Sequence, residues 1–239
     1  MIETTRTDSA TLAKPSRCSS ICPDCGQREQ YGARGLCLRC IRKKDRHLPA
    51  KANGWQAIIP KRFWNASLAD LPPKLREMIE TQPEEQGMFL YGSQGAGKTH
   101  ACAAAVKHLW LQGWVAAWAP FEELLLRIRA TYKRGGGSEW DVIKPLCEAE
   151  VFVLDDLGVT VSANQQETDF SVRILLVLLD SRLANCRKTF ITTNKTVEDL
   201  GQTFDSRIAS RIVELCTVLR LTGEDRRMAK AGGKQPPKT

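Results

Sequence analysis

Residues 92–99 read Gly92-Ser93-Gln94-Gly95-Ala96-Gly97-Lys98-Thr99, which fits the spacing G-x-x-x-x-G-K-[ST]. These residue types suit the holding of a polyphosphate. Concentrated negative charge needs many donors at close range, and glycines let backbone N–H groups approach with no Cβ in the way. Lys98 is expected to reach the β- and γ-phosphates, and the Thr99 hydroxyl to ligate Mg²⁺. An apolar run, Met88 to Tyr91, precedes the loop and reads as a buried strand. An Ala-rich helical stretch, His100 to Leu111, follows it. The loop therefore faces the positive end of a helix dipole. The candidate nucleotide-binding set is Gly92, Ser93, Gln94, Gly95, Ala96, Gly97, Lys98, Thr99 and His100.

A second constellation lies at Val151-Phe-Val-Leu-Asp155-Asp156-Leu-Gly158. Four apolar residues of a buried strand end in two acids. Downstream of a phosphate loop, Asp155 is expected to hold Mg²⁺ directly or through water. The next strand, Thr189 to Thr193, ends in Asn194. Its amide can orient the nucleophile, or it can belong to an ordinary helix cap before Thr196. Arg207 and Arg211 are spaced i, i+4 on one helix face. Either they reach a neighbouring subunit's γ-phosphate, or they are surface arginines with local ion pairs.

A third signal is Cys22-Pro-Asp-Cys25, eleven residues, then Cys37-Leu-Arg-Cys40. Two C-x-x-C pairs at that separation match a closed, structural four-cysteine Zn²⁺ site. The metal would supply the folding energy of so short a segment. Cys18 could compete as a ligand. Cys102, Cys147, Cys186 and Cys216 are expected to be buried packing residues. Residues 1–60 hold eleven Lys and Arg against five acids, densest over Arg39–Arg46. This stretch is either a contact for nucleic acid or an acidic partner, or a solvated helix leaving the metal site.

The elements that must position these groups follow from periodicity. Strands are expected over 88–91, 114–119, 151–155, 189–193 and 217–221. Helices are expected over 74–81, 98–112, 121–133, 138–148, 166–186, 196–203 and 205–215. Alternating strands and helices imply a parallel sheet. The run Ile174 to Leu179 makes helix 166–186 a buried core helix. Residues 1–20 read as a disordered tail, 21–47 as the zinc-binding module and 48–87 as linker and leading helix. Residues 88–228 read as the catalytic core and 229–239 as a basic tail. Trp55, Ile58, Ile59, Phe63 and Trp64 anchor the linker on the core, or Trp55 and Trp64 stack on bases. With 239 residues and a formal net charge of +8, the chain can bury a sizeable core, and it weakly favours a polyanionic partner. No apolar run approaches the ~18 residues of a membrane span, and the polar N-terminus lacks a signal-peptide core. A cytoplasmic location and no membrane partner are expected, with cysteines reduced or metal-bound.

The core, roughly 58–228, resembles the AAA+ ATPases of the DnaC-like helicase loaders and their relatives, the IstB-type transposition ATPases. The resemblance rests on residues 92–99, Leu-Asp-Asp-Leu-Gly at 154–158, Ile-Thr-Thr-Asn at 191–194, Ser-Arg-Ile-Ala-Ser-Arg at 206–211 and Leu-Thr-Gly-Glu-Asp-Arg-Arg at 221–227. Residues 59–67 look like the segment that leads into the family's core. The resemblance implies an α/β fold, a P-loop AAA+ core with a parallel five-stranded sheet flanked by helices. It implies ATP at the loop, Mg²⁺ at Thr99 and Asp155, and a sensing role for Asn194. Arg211 becomes the trans-acting finger, supported by Arg207. Asp156 stands where many relatives carry Glu, which implies slow or partner-stimulated turnover. With Lys98, Asp155 and Asn194, these make up the catalytic set. ATP would sit between subunits of a homo-oligomer on single-stranded DNA. After Arg227 only a basic Gly/Pro/Lys tail remains, which suits a short loader-type core. The zinc module resembles that of some loaders, where it contacts the replicative hexameric helicase. The chain is thus expected to load that helicase. The alternatives are a transposition ATPase binding duplex DNA and a transposase, and a non-catalytic ATP-gated switch that binds the helicase.

Overall fold

The computed structural model describes residues 2–3, 54–133, 137–158 and 165–223. The cysteine pairs, the basic stretch 39–46 and the motif residues 224–227 lie outside the described residues. In chain order the elements are β1 (Ile2–Glu3), α1 (Pro73–Thr81), β2 (Gly87–Tyr91), α2 (Lys98–Leu111), β3 (Ala116–Pro120), α3 (Phe121–Ala130) and α4 (Glu139–Glu148). They continue with β4 (Val151–Asp155), α5 (Gln165–Ala184), β5 (Lys188–Thr193), α6 (Val197–Thr203), α7 (Ser206–Leu215) and β6 (Cys216–Leu221). Three short 3₁₀ turns occupy 54–70. The expected α/β architecture is present. Five parallel strands run in the order β6-β2-β5-β4-β3, and β1 adds a two-residue antiparallel edge against Arg220 and Leu221. Ile2 and Glu3, expected within a tail, thus join the sheet edge.

Strands β2 and β4 are apolar on both faces because helices cover both faces. Phe89, Phe152, Leu154 and Ile191 point to one side, where α3, α4, α5 and α7 pack. Met88, Leu90, Val151, Val153 and Phe190 point to the other, against α2, α1 and the segment from Trp55 to Leu71. Helix α2 presents Ala101, Cys102, Ala103, Ala104 and Ala105, all buried, so it approaches the sheet closely. Trp55 and Ile59 are buried against it, which answers the linker question in favour of docking. Trp55 meets Trp64 edge to face at 6.3 Å, and the Lys107 ammonium lies 4.5 Å from the Trp55 ring centre.

Helix α5 is the expected core helix, although it buries one side only. Ile174, Leu175, Leu178 and Leu179 face the core while Val177 is exposed, because apolar residues at every position of a turn cannot all point inward. Cys186 is also exposed. The helix ends at Ala184, and Cys186 takes a left-handed φ of 49° as the chain turns off it. The Arg187 N–H then donates to the Arg182 carbonyl, closing the helix end. Among the described residues no helix is long and apolar enough to cross a membrane.

The inward stripe of α5 ends in Arg182, which is fully buried. Its guanidinium donates to Thr189 Oγ1 at 2.8 Å and to the carbonyls of Leu146 at 2.5 Å, Ala149 at 3.0 Å and Lys188 at 2.6 Å. It also lies 5.3 Å from the Phe152 ring centre. Burial pulls its pKa down to about 9. The residue ties the C-terminus of α4 and the start of β5 to α5, satisfying carbonyls that no water can reach. Arg182→Met should therefore lower the unfolding free energy by about 3 kcal/mol. Arg182→Lys should not restore it, since one ammonium cannot span those acceptors. Urea unfolding would check this, and a change within about 0.5 kcal/mol for Arg182→Met would contradict it.

Candidate nucleotide site

Ligands of open α/β sheets sit beyond the carboxyl ends of the strands. Here β2, β4 and β5 deliver the loop, the two acids and Asn194 to the same edge. Gly92, Gly95 and Gly97 have φ of 143°, 75° and 94°. Gly92 also packs so tightly that a Cβ would stand 2.1 Å from the Leu221 carbonyl oxygen. The left-handed Gly97 starts α2 directly at Lys98. Lys98 is buried and folds back over the loop, donating to the carbonyls of Gly92 at 2.9 Å and Ser93 at 2.8 Å. Ser93 and Gln94 are exposed, whereas Gly95 and Ala96 are half-buried.

Thr99 Oγ1 donates to Asp155 Oδ1 at 3.0 Å. The same oxygen accepts from Thr192 Oγ1 at 2.6 Å. Asp155 is 6 % exposed, and burial pushes its carboxyl up to about 6. The neighbouring Asp156 adds to that rise, while the two hydroxyls and Lys98 oppose it. Asp156 is exposed and holds a left-handed φ of 55°. Asn194 is exposed, one residue past the end of β5. Register explains why these groups meet. β5 lies between β2 and β4, and pairs Leu90 with Thr192 on one side and Leu154 with Ile191 on the other.

Mg²⁺ takes oxygen ligands and keeps several waters, so a hydroxyl and one carboxylate beside a phosphate cradle are a fitting donor set. Thr99 and Asp155 supply that set. Among the described residues no cluster of three or more His, Cys, Asp or Glu comes together. His100 is turned differently from its loop neighbours. Its ring meets Phe63 edge-on at 6.5 Å, and Nε2 lies 3.4 Å from Asp70 Oδ2, toward the leading segment. Arg207 and Arg211 lie on α7 and are held by acids. Arg207 grips Asp205 through Nε and Nη2, at 3.0 and 2.9 Å, and Arg211 Nε contacts Asp180 Oδ1 at 2.5 Å. Thr192 was not among the residues singled out from sequence. Nothing in the sequence sets it apart: it is one of three threonines in β5, whose only apolar residues are Phe190 and Ile191.

A family model described as IstB-like ATP binding protein matches residues 74–232, which include the loop, both acids, Asn194 and both arginines. The chain belongs to the IstB-like ATP-binding protein family. This IstB-like chain is also 25 % identical over 140 residues to the replicative helicase loader DnaC of Escherichia coli strain K12, covering 58 % of the chain and 55 % of DnaC. It is 28 % identical over 121 residues to the uncharacterized protein YdaV of the same strain, covering 51 % and 46 % respectively. The chain thus spans about half the length of the curated relatives it matches. A crystal structure of the DnaC helicase loader superposes with a TM-score of 0.59 at 24 % identity, over 68 % of this chain and all of that one. AMPPCP-bound DnaA from Aquifex aeolicus gives 0.55 at 13 % identity, over 75 % and 58 %. These solved structures share the fold.

The raised Asp155 carboxyl has a consequence for stability. Its folded pKa, about 6, exceeds the ordinary 3.8, so the folded IstB-like chain holds an extra proton between these values. Stability contributed by this group is present below pH ~4 and is lost as pH rises to ~6. In the absence of nucleotide and Mg²⁺, Asp155→Asn should be more stable than wild type at pH 7.5 by about 2 kcal/mol, with the difference vanishing near pH 4. Unfolding curves of both proteins across this range would check it. An Asn variant less stable at pH 7.5 would contradict it.

Proposed function

We propose that this chain is an ATP-dependent DNA replication protein that loads a replicative hexameric helicase onto single-stranded DNA, working as an ATP-controlled homo-oligomer. The observation that carries the reading is the convergence of residues 92–99 with Thr99 and Asp155 at one sheet edge, in a chain similar to a replicative helicase loader. In this reading ATP with Mg²⁺ supplies a cleavable phosphoanhydride whose charge the metal offsets. The chain's own residues do the rest. The loop amides and the N-terminus of α2 hold phosphate oxygens. Lys98 exchanges the two loop carbonyls for the phosphates. Thr99 and Asp155 hold the metal. Asp156 polarises the attacking water and Asn194 orients it. Asp156 is shorter than Glu, which favours slow or partner-stimulated turnover.

Arg211, with Arg207, would reach a neighbour's γ-phosphate. Arg207 is exposed and Arg211 half-buried on α7, which supports that role, and leaving Asp180 and Asp205 costs little at a surface. Exposed Tyr132, just past α3 and hydrogen-bonded through its hydroxyl to Glu139, follows exposed Arg127 and precedes exposed Lys133, which favours a strand-binding surface there. A four-cysteine Zn²⁺ module at Cys22, Cys25, Cys37 and Cys40 would engage the helicase.

A second reading, an IstB-type transposition ATPase acting on duplex DNA with a transposase, is favoured by membership of the IstB-like family. Capture from host lysate in ATP and Mg²⁺ separates the two. The intact chain should retain a replicative helicase, and the chain lacking residues 1–53 should not. Retention of a transposase instead would move the assignment to the second reading. Arg211→Ala should keep nucleotide affinity within about two-fold yet lower ATP turnover by about 10³-fold, as removal of a trans finger does. Turnover like wild type would remove Arg211 from the mechanism.

A further inference from the structure

We propose that Thr192 is a positioning residue of the metal–nucleotide site, orienting Asp155 and fixing the backbone of Asp156 through one hydroxyl. The proposal rests on the reading of residues 92–99 and 155–156 as an ATP–Mg²⁺ site. Thr192 is fully buried in β5. A hydroxyl offers one proton and two lone pairs. Here the proton goes to Asp155 Oδ1 at 2.6 Å, and a lone pair accepts the Asp156 N–H at 2.9 Å. The Thr192 carbonyl accepts the Leu157 N–H at 2.8 Å. One residue thus binds three successive residues of the neighbouring strand's end.

Two features make this more than a core hydrogen bond. Asp156 is not glycine yet holds a left-handed backbone, a conformation that persists only where neighbours over-determine it. The bonds from Thr192 to the N–H groups of 156 and 157 supply that constraint. Asp155 Oδ1 also takes both hydroxyls, from Thr99 and Thr192. Thr99 is the one a metal would need. Thr192 is then the hydroxyl that keeps the carboxylate turned to the loop. Adjacent Thr193 donates instead to the Leu157 carbonyl at 2.6 Å and accepts from the Lys195 N–H at 3.1 Å, so it steadies the turn without touching the acid.

The test uses the full chain with Thr192→Ser, Thr192→Ala and Thr192→Val. A fluorescent non-hydrolysable ATP analogue is titrated with and without Mg²⁺, and ATP turnover is followed against Mg²⁺. Without metal all four proteins should bind the analogue alike. With metal, the Ala and Val variants should need about ten-fold more Mg²⁺ for half-saturation, the usual loss for a group that orients a ligand. Their kcat should fall at an unchanged KM for ATP. Thr192→Ser should stay with wild type. Ser and Ala both lack the methyl, so their difference isolates the hydroxyl even if the Val variant fails to fold. Ala and Ser variants with the same Mg²⁺ dependence would overturn the assignment while leaving the ATP site standing. A wild-type chain with neither Mg²⁺-enhanced binding nor turnover would overturn both.

Discussion

A carboxylate held in an apolar interior is the constraint on which the rest of this site depends. Asp155 follows four fully buried apolar residues and is itself nearly inaccessible, so its charge must be met by fixed donors rather than by solvent. The fold provides them from two directions. Helix α2 contributes Thr99 because the glycine loop returns the chain over the sheet edge. Strand β5 contributes Thr192 because it is inserted between the loop's strand and the acid's strand. The compensation is incomplete, and the carboxyl remains well above its ordinary pKa. A site with that imbalance favours a cation, which is the demand Mg²⁺ would meet.

The same logic of buried charge recurs away from the site. Arg182 is enclosed by carbonyls and one hydroxyl, and Lys188, also buried, donates to the carbonyls of Pro83 and Gln86. Both cations hold strand β5 at its start: Arg182 reaches it from α5, and Lys188, its first residue, ties it to the segment before β2. Burial lowers both, Lys188 to about 8. The strand that carries Thr192 and Asn194 is therefore anchored at the end opposite the chemistry. This leaves its carboxyl end as a fixed platform between the loop and the acids.

Much of this was legible in the sequence. The strand–loop–helix pattern and the apolar run before Asp155 located the sheet edge, and strand and helix bounds fell within two or three residues. The glycines at 92, 95 and 97 announced a backbone that only glycine adopts easily. What escaped reading had physical reasons. Thr192 looks like an ordinary β-former, since its hydroxyl acquires meaning only from the strand placed beside it. Arg182 sits at i+3 and i+4 from Leu179 and Leu178, on the apolar stripe, but charged residues on helices are so regularly solvated that the spacing alone gave no warning. Cys186 was misread because the helix stopped two residues earlier than the apolar pattern suggested. The arginines were correctly placed on one helix, while their acidic partners came from Asp205, two residues away in sequence, and from Asp180 on α5.

Catalysis at this sheet edge requires that the loop, Thr99 and Asp155 form one nucleotide–metal site. The most direct measurement is a crystal structure of the chain with a non-hydrolysable ATP analogue and Mg²⁺. Lys98 should be released from the carbonyls of Gly92 and Ser93 onto phosphate oxygens, with the metal between the Thr99 hydroxyl and Asp155. A nucleotide bound elsewhere, or bound here with Lys98 still on those carbonyls and no metal at Thr99, would contradict it.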